Sequence, residues 1–171
     1  MIRTIMVFPE FRNMDVIDDI RDRYDPLAKL VRPHITLVFP FEDCMTNEEV
    51  ERVLERRLTG IRPFRLKMSG ITKQEDRFGN YLMLNVIEGK EELRHIHNEL
   101  YANEFASYDL GLVYNPHITV GKLPGADALG RAYDDVKHMQ EIFETVVDTV
   151  SVEMIGDNEE SIIILEKKLI D

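Results

Sequence analysis

The tetrapeptide Pro-His-Ile-Thr occurs twice, at Pro33–Thr36 and at Pro116–Thr119, and no other feature limits the possible folds as much. Its two histidines, His34 and His117, stand 83 positions apart in a chain of 171 residues, about half its length. The elements expected around the two copies follow one order: helix, strand, helix, strand, strand. After a first short strand at Thr4–Phe8, Asn13–Tyr24 carries Val16, Ile17 and Ile20 on one helical face and stops at Pro26. Pro33–Phe39 is rich in β-branched residues and reads as a strand. Thr46 and Glu49 have capping-box spacing, Val50, Val53, Leu54 and Leu58 form an apolar stripe, and Gly60 ends that helix. Phe64–Ser69 alternates as a half-buried strand, and Tyr81–Ile87 follows it across a hairpin with a longer loop containing Gly79 and Asn80. The order then repeats. Helix Lys90–Asn103 precedes strand His117–Leu123, helix Ala126–Met139, a long strand through Val146–Met154 and a last strand Ser161–Leu169. A tetrapeptide repeated at the same place in a repeated order of elements reads as an internal duplication. The expected product is one bilobal domain over residues 1–171. Its sequence halves are approximately 1–88 and 89–171, they join near Glu88–Lys90 without a Gly- or Ser-rich linker, and strands can exchange between the lobes.

Strand alternation gives this repeat a chemical meaning. His34 and Thr36 point to one face, as do His117 and Thr119, while Ile35, Leu37, Ile118 and Val120 point to the other. Lobes facing each other across a two-fold axis bring both His/Thr pairs to one cleft. In-line displacement at phosphorus needs a base at the attacking oxygen and an acid at the leaving oxygen. Histidine titrates near pH ~6.5, so either form is accessible around neutrality. The threonine hydroxyls can donate to non-bridging phosphate oxygens. This scheme, which makes or breaks a phosphodiester bond, requires no metal and no cofactor.

The composition narrows the partners. A formal charge of −11 repels long polyanions, so the expected ligand is a small nucleotide or an RNA end rather than long nucleic acid. The apolar share of 44% supports a packed core and argues against a disordered chain. The single cysteine, Cys44, forbids an intramolecular disulfide and is expected to be a small buried or half-buried residue rather than a nucleophile. No apolar run is long enough to span a membrane, and the N-terminus does not read as a signal peptide, so the cytoplasm is the default location.

On these motifs the chain resembles the 2H phosphoesterase superfamily, the group that includes 2′,5′-RNA ligase-like proteins and cyclic nucleotide phosphodiesterases. Its members carry one His-x-Thr/Ser-x motif per lobe, here His34-Ile35-Thr36-Leu37 and His117-Ile118-Thr119-Val120. Arg23-Tyr24-Asp25-Pro26 ahead of the first motif is similar to a bacterial YjcG-like subgroup. The resemblance implies an α+β fold: two mainly antiparallel sheets, helices on their outer faces and a central cleft. It also implies that His34, Thr36, His117 and Thr119 are catalytic. Family members often carry a basic residue soon after the second motif, and Lys122 occupies that region. On ideal alternation Lys122 faces away from His117, unless a bulge at Gly121 turns it back. The first copy has Val38-Phe39-Pro40-Phe41 instead, so the two halves are not equivalent.

The remaining candidates have two readings each. Tyr114 either stacks on a base or packs, and Arg32 either steers an anion or is simply solvated. His97 lies on an apolar stripe and is expected to pack, with His95 on another face, while His138 meets a helix dipole. No Gly-rich phosphate loop or metalloprotease motif is present. Three functions compete. The first is an enzyme acting on a cyclic phosphate or a 2′,5′ linkage with water or a ribose hydroxyl as nucleophile, since hydrolysis and RNA ligation run through the same in-line geometry. The second is a module that binds a phosphate or RNA end without turnover. The third is a metal-dependent hydrolase ligated by His34 and His117.

Overall fold

A computed structural model describes residues 1–170. It contains β1 (Ile2–Val7), α1 (Met14–Tyr24), β2 (Ile35–Glu42), α2 (Asn47–Arg57), β3 (Phe64–Asp76) and β4 (Gly79–Glu88). These are followed by α3 (Lys90–Tyr101), a 3-10 turn (Ala106–Tyr108), β5 (His117–Leu123), α4 (Ala126–Val136), β6 (Phe143–Val147), β7 (Thr149–Ile155) and β8 (Ser161–Lys168). The local signals act as their chemistry dictates. Thr46 Oγ1 accepts from the Glu49 amide at 3.2 Å, and the Glu49 carboxylate accepts from the Thr46 amide at 2.7 Å, so both halves of the capping box form. Helix α3 starts directly from Gly89, whose φ is +96°. A Cβ there would stand 2.7 Å from the Arg65 carbonyl, so only glycine fits.

All neighbouring strands pair antiparallel, in the order β6-β3-β4-β5-β2-β1-β7-β8. The middle of this order is weak, because β5 and β2 share a single pairing, Ile35↔Ile118. The eight strands form one continuous sheet, not the two separate sheets expected, and its two four-stranded halves splay from that point. Helices α1 and α4 cover one of them, and α2 and α3 the other. Each half draws two strands from either side of Gly89: β3 and β4 with β5 and β6, and β1 and β2 with β7 and β8.

Four further details depart from the sequence reading. The expected long strand through Val146–Met154 is broken at Asp148, because β6 pairs with β3 in one half while β7 pairs with β1 and β8 in the other. The break shifts the parity of the core positions, from Phe143 and Val147 to Val150 and Val152, and leaves Val146 exposed. Strand β3 does not stop at Ser69. Gly70 at φ +80° absorbs an irregularity and the strand runs on through polar residues to Asp76. The hairpin loop is accordingly short, with only Arg77 and Phe78 between the strands, and Asp76 Oδ1 accepts from the Phe78 and Gly79 amides. Cys44 is exposed, since it lies in the connection between β2 and α2. Among the described residues no helix is long and apolar enough to cross a membrane.

Candidate active site

The two copies of the motif meet where the halves of the sheet join. Ile35 and Ile118 face each other across the single β2–β5 pairing, both fully buried. Antiparallel geometry then sets His34 opposite Thr119 and His117 opposite Thr36, all four on the side away from the core. Both copies repeat one burial pattern: proline and isoleucine buried, histidine and threonine half-exposed. The histidines are held alike. Nδ1 of His34 lies 2.8 Å from the carbonyl of Arg32, and Nδ1 of His117 lies 2.7 Å from the carbonyl of Asn115. A carbonyl can only accept, so Nδ1 carries the hydrogen and Nε2 is the basic nitrogen of each neutral ring.

Desolvation is the largest influence on both imidazoles and pushes both pKa values down. The Arg32 and Asn115 carbonyls oppose it. The charge environments differ. Arg21 and the His117 ring lower His34 further and Asp25 raises it, whereas Asp76 raises His117. Arg21 and Asp25 form an ion pair at 2.8 Å on the buried face of α1, which packs on β5. Asp76 ends β3. The motifs alone single out neither carboxylate nor Arg21, although the i,i+4 spacing of Arg21 and Asp25 is a readable signal.

Each motif is followed by a bulge. Met6 pairs with Thr36 and Ile5 with Val38, so Leu37 is the extra residue in β2. Met83 pairs with Thr119 and Leu82 with Gly121, so Val120 is the extra residue in β5. The second bulge reverses the alternation. Lys122 pairs with Tyr81 on the same face as Met83↔Thr119 and Asn85↔His117. It thus stands on the face that carries His117 and Thr119, its Nζ 5.8 Å from the Tyr81 ring. A Cβ on Gly121 would lie 3.0 Å from Leu82 and 3.1 Å from Tyr24, so glycine allows α1 to close over the bulge. Phe39 holds the corresponding position in the first copy.

The other two candidates are placed differently. Tyr114 packs. Its ring is stacked on His97 at 3.8 Å, its hydroxyl donates to the Thr36 carbonyl at 2.8 Å, and burial raises the phenol so that it stays protonated. It is therefore not a free platform for a base. The Arg32 guanidinium lies 4.4 Å over the Phe8 ring and 3.9 Å from Glu10. With Phe8, Ser151, Glu166 and Lys168 it lines a cavity of about 380 Å³; Phe8 in turn lies 6.0 Å from the His34 ring. His97 packs as expected, and His95 and His138 are exposed. Among the described residues no three His, Cys, Asp or Glu side chains gather to hold a metal.

The chain and its fold have counterparts among known proteins. A model of the 2′-5′ RNA ligase superfamily matches residues 8–158. A candidate phosphoesterase of Geobacillus kaustophilus is 34% identical over 148 residues, covering 84% of this chain and 82% of that protein. One from Bacillus licheniformis is 26% identical, covering 84% of each. Among solved structures, a Thermus thermophilus protein aligns over 99% of this chain and 98% of its own, with TM-score 0.65 and 16% identity. E. coli LigT complexed with 3′-AMP aligns over 98% and 97%, with TM-score 0.59 and 14% identity.

Proposed function

The chain belongs to the 2′-5′ RNA ligase superfamily, and we propose that it is a metal-independent phosphodiesterase acting on a cyclic phosphate or 2′,5′ linkage of a small nucleotide or RNA end. The observation that carries this reading is the pair of matched His/Thr sets across Ile35↔Ile118, each with Nδ1 held by a carbonyl two residues upstream. A phosphate between the strands meets one Nε2 on either side, which is what in-line displacement needs. The Nε2 of one neutral histidine takes a proton from water as its oxygen bonds to phosphorus. The bond from phosphorus to the leaving ribose oxygen breaks, and the other histidine, protonated on Nε2, donates to that oxygen. Thr36 and Thr119 donate to the non-bridging oxygens, and Lys122 offers positive charge on the same face. Ligation is this sequence in reverse, with a ribose hydroxyl in place of water and the histidines exchanging roles. E. coli LigT has been crystallised with 3′-AMP, ATP and NADP⁺, which supports a small nucleotide as the ligand here.

The test is a panel of nucleoside 2′,3′-cyclic phosphates and 2′,5′-linked dinucleotides, assayed with product analysis in the presence and absence of chelator. Turnover that survives chelation is expected. Saturable binding without turnover would identify a binding module instead, and turnover abolished by chelation would identify a metal enzyme.

Two further outcomes follow from the geometry. Both histidines are biased toward the neutral form, so the base is plentiful at neutrality and the acid is scarce. The pH profile of kcat/KM is therefore expected to be bell-shaped with its maximum on the acid side of ~6.5, falling as pH rises. A maximum more than about one pH unit above that value contradicts this assignment. Lys122→Gln removes the cation from the catalytic face and is expected to lower kcat/KM roughly tenfold. An unchanged value would leave Lys122 a solvated surface residue.

A further inference from the structure

The splaying of β2 from β5 has a backbone consequence. Beyond Ile35, β5 no longer pairs with β2, so that edge of β2 must find other partners for its polar groups. Three aromatic side chains act on consecutive parts of it. The Tyr114 hydroxyl donates to the Thr36 carbonyl at 2.8 Å, and Nδ1–H of His97 donates to the Leu37 carbonyl at 2.7 Å. The Phe39 amide donates to the Tyr101 hydroxyl at 3.0 Å. The three rings also support one another. His97 is stacked on Tyr114 at 3.8 Å with 3° between planes, and Tyr101 tilts against His97 at 4.7 Å. His97 and Tyr101 are one turn apart on α3 and are both buried. The bonds span the bulge at Leu37, the point at which the chain leaves the Thr36 face.

Tyr114 lies three residues before His117, whereas the position three before His34 is Val31. The cluster thus links the approach to the second motif with the backbone of the first, and the first motif offers no equivalent tyrosine in return. We propose that Tyr114, backed by His97 and Tyr101, is a positioning residue that fixes the Thr36 hydroxyl relative to His117, coupling the two half-sites into one geometry. This rests on the phosphodiesterase reading above. Tyr114 touches no substrate atom in this scheme. It acts through the Thr36 backbone, and small displacements of a catalytic group carry large rate penalties.

The test is a double-mutant cycle between Tyr114→Phe, which keeps the stacked ring and deletes only the hydroxyl, and Thr36→Val. Tyr114→Phe is expected to lower kcat for a 2′,3′-cyclic nucleotide by roughly ten- to a hundredfold with KM changed less than about threefold. In combination with Thr36→Val it is expected to add no further loss, because both changes remove one contribution. Unchanged kcat in Tyr114→Phe, or losses that multiply in the double variant, would overturn the proposal. A purely structural tyrosine would lower the melting temperature and leave kcat of the folded protein intact. If the parent turns over no cyclic nucleotide, the phosphodiesterase reading has failed on its own. The cycle is then run with inorganic phosphate, followed through the His34 and His117 ring proton resonances. Weaker phosphate binding in both single variants, and no weaker in the double, supports the coupling. Equal binding in parent and Tyr114→Phe refutes it.

Discussion

His34→Ala and His117→Ala are each expected to cut turnover of a 2′,3′-cyclic nucleotide by roughly 10²–10⁴-fold or more, the contribution of a placed general acid or base. The double variant should be scarcely slower than either single one, since in the proposed mechanism acid and base act in one displacement and the loss of one leaves the other little to do. Both variants should fold. Each ring is half-exposed on the face away from the core, and its one protein hydrogen bond goes to a carbonyl two residues upstream. Burial also opposes protonation of both rings. Because their folded pKa values are depressed, the parent loses stability as pH falls from ~6.5 through those values, and removal of the rings abolishes that loss. The variants should therefore be less acid-sensitive than the parent. Thermal melts at two pH values beside steady-state rates give both readouts, and near-parental rates in the two single variants would sink the two-histidine mechanism.

Asp25→Ala is expected to destabilise the fold by about 3–5 kcal/mol, the usual cost of leaving one partner of a buried ion pair alone. Arg21 is 2% exposed and donates to Asp25 at 2.8 Å, its other bond being a longer one to the Leu27 carbonyl at 3.3 Å. Asp25 also accepts from the Leu27 amide at 2.9 Å and so closes the turn after α1. A loss of that size is a large part of a domain's stability and corresponds to a fall in melting temperature on the order of 10 °C. Replacing both residues with apolar side chains of similar volume should restore most of it, because the cost lies in the uncompensated charge. A fall of less than about 2 °C for Asp25→Ala would show that the pair is solvated in solution. The pair also lies close enough to His34 to act on its titration, so the double replacement should raise the His34 pKa less than removal of Arg21 alone.

Much of the His/Thr face of the candidate site is legible in the amino-acid sequence, and for a definite reason. His-Ile-Thr alternates, and alternation survives as long as a strand keeps its register. The expectations that fail on the strands all lie where register breaks or where pairing alone makes the strand. Ideal alternation turns Lys122 away from His117, and the sequence leaves its side open because only Gly121 hints at the extra residue at Val120 that turns it back. The Val146–Met154 run looks continuous because Asp148 is an ordinary polar residue in an alternating pattern. Only the choice of partner, β3 before it and β1 and β8 after it, reveals the crossing. The polar end of β3 is hidden for the opposite reason, since Thr72–Asp76 lacks apolar residues and is a strand by virtue of its pairing with β4. The roles of His97, Tyr101 and Tyr114 have no sequence signal because their partners are backbone groups on a distant strand.

The crossing at Asp148 also bears on how this chain is made. When residues up to Gly89 have left the ribosome, β1–β2 and β3–β4 exist only as two separate strand pairs, each with the edge that β7 or β6 will cover still bare. Neither pair is a sheet large enough to be stable alone. Both wait for β5 to β8, so synthesis of the segment from His117 to Lys168 completes both halves of the sheet. The nascent protein carries open strand edges until then, which makes that interval the one in which it is most exposed to mispairing with other chains.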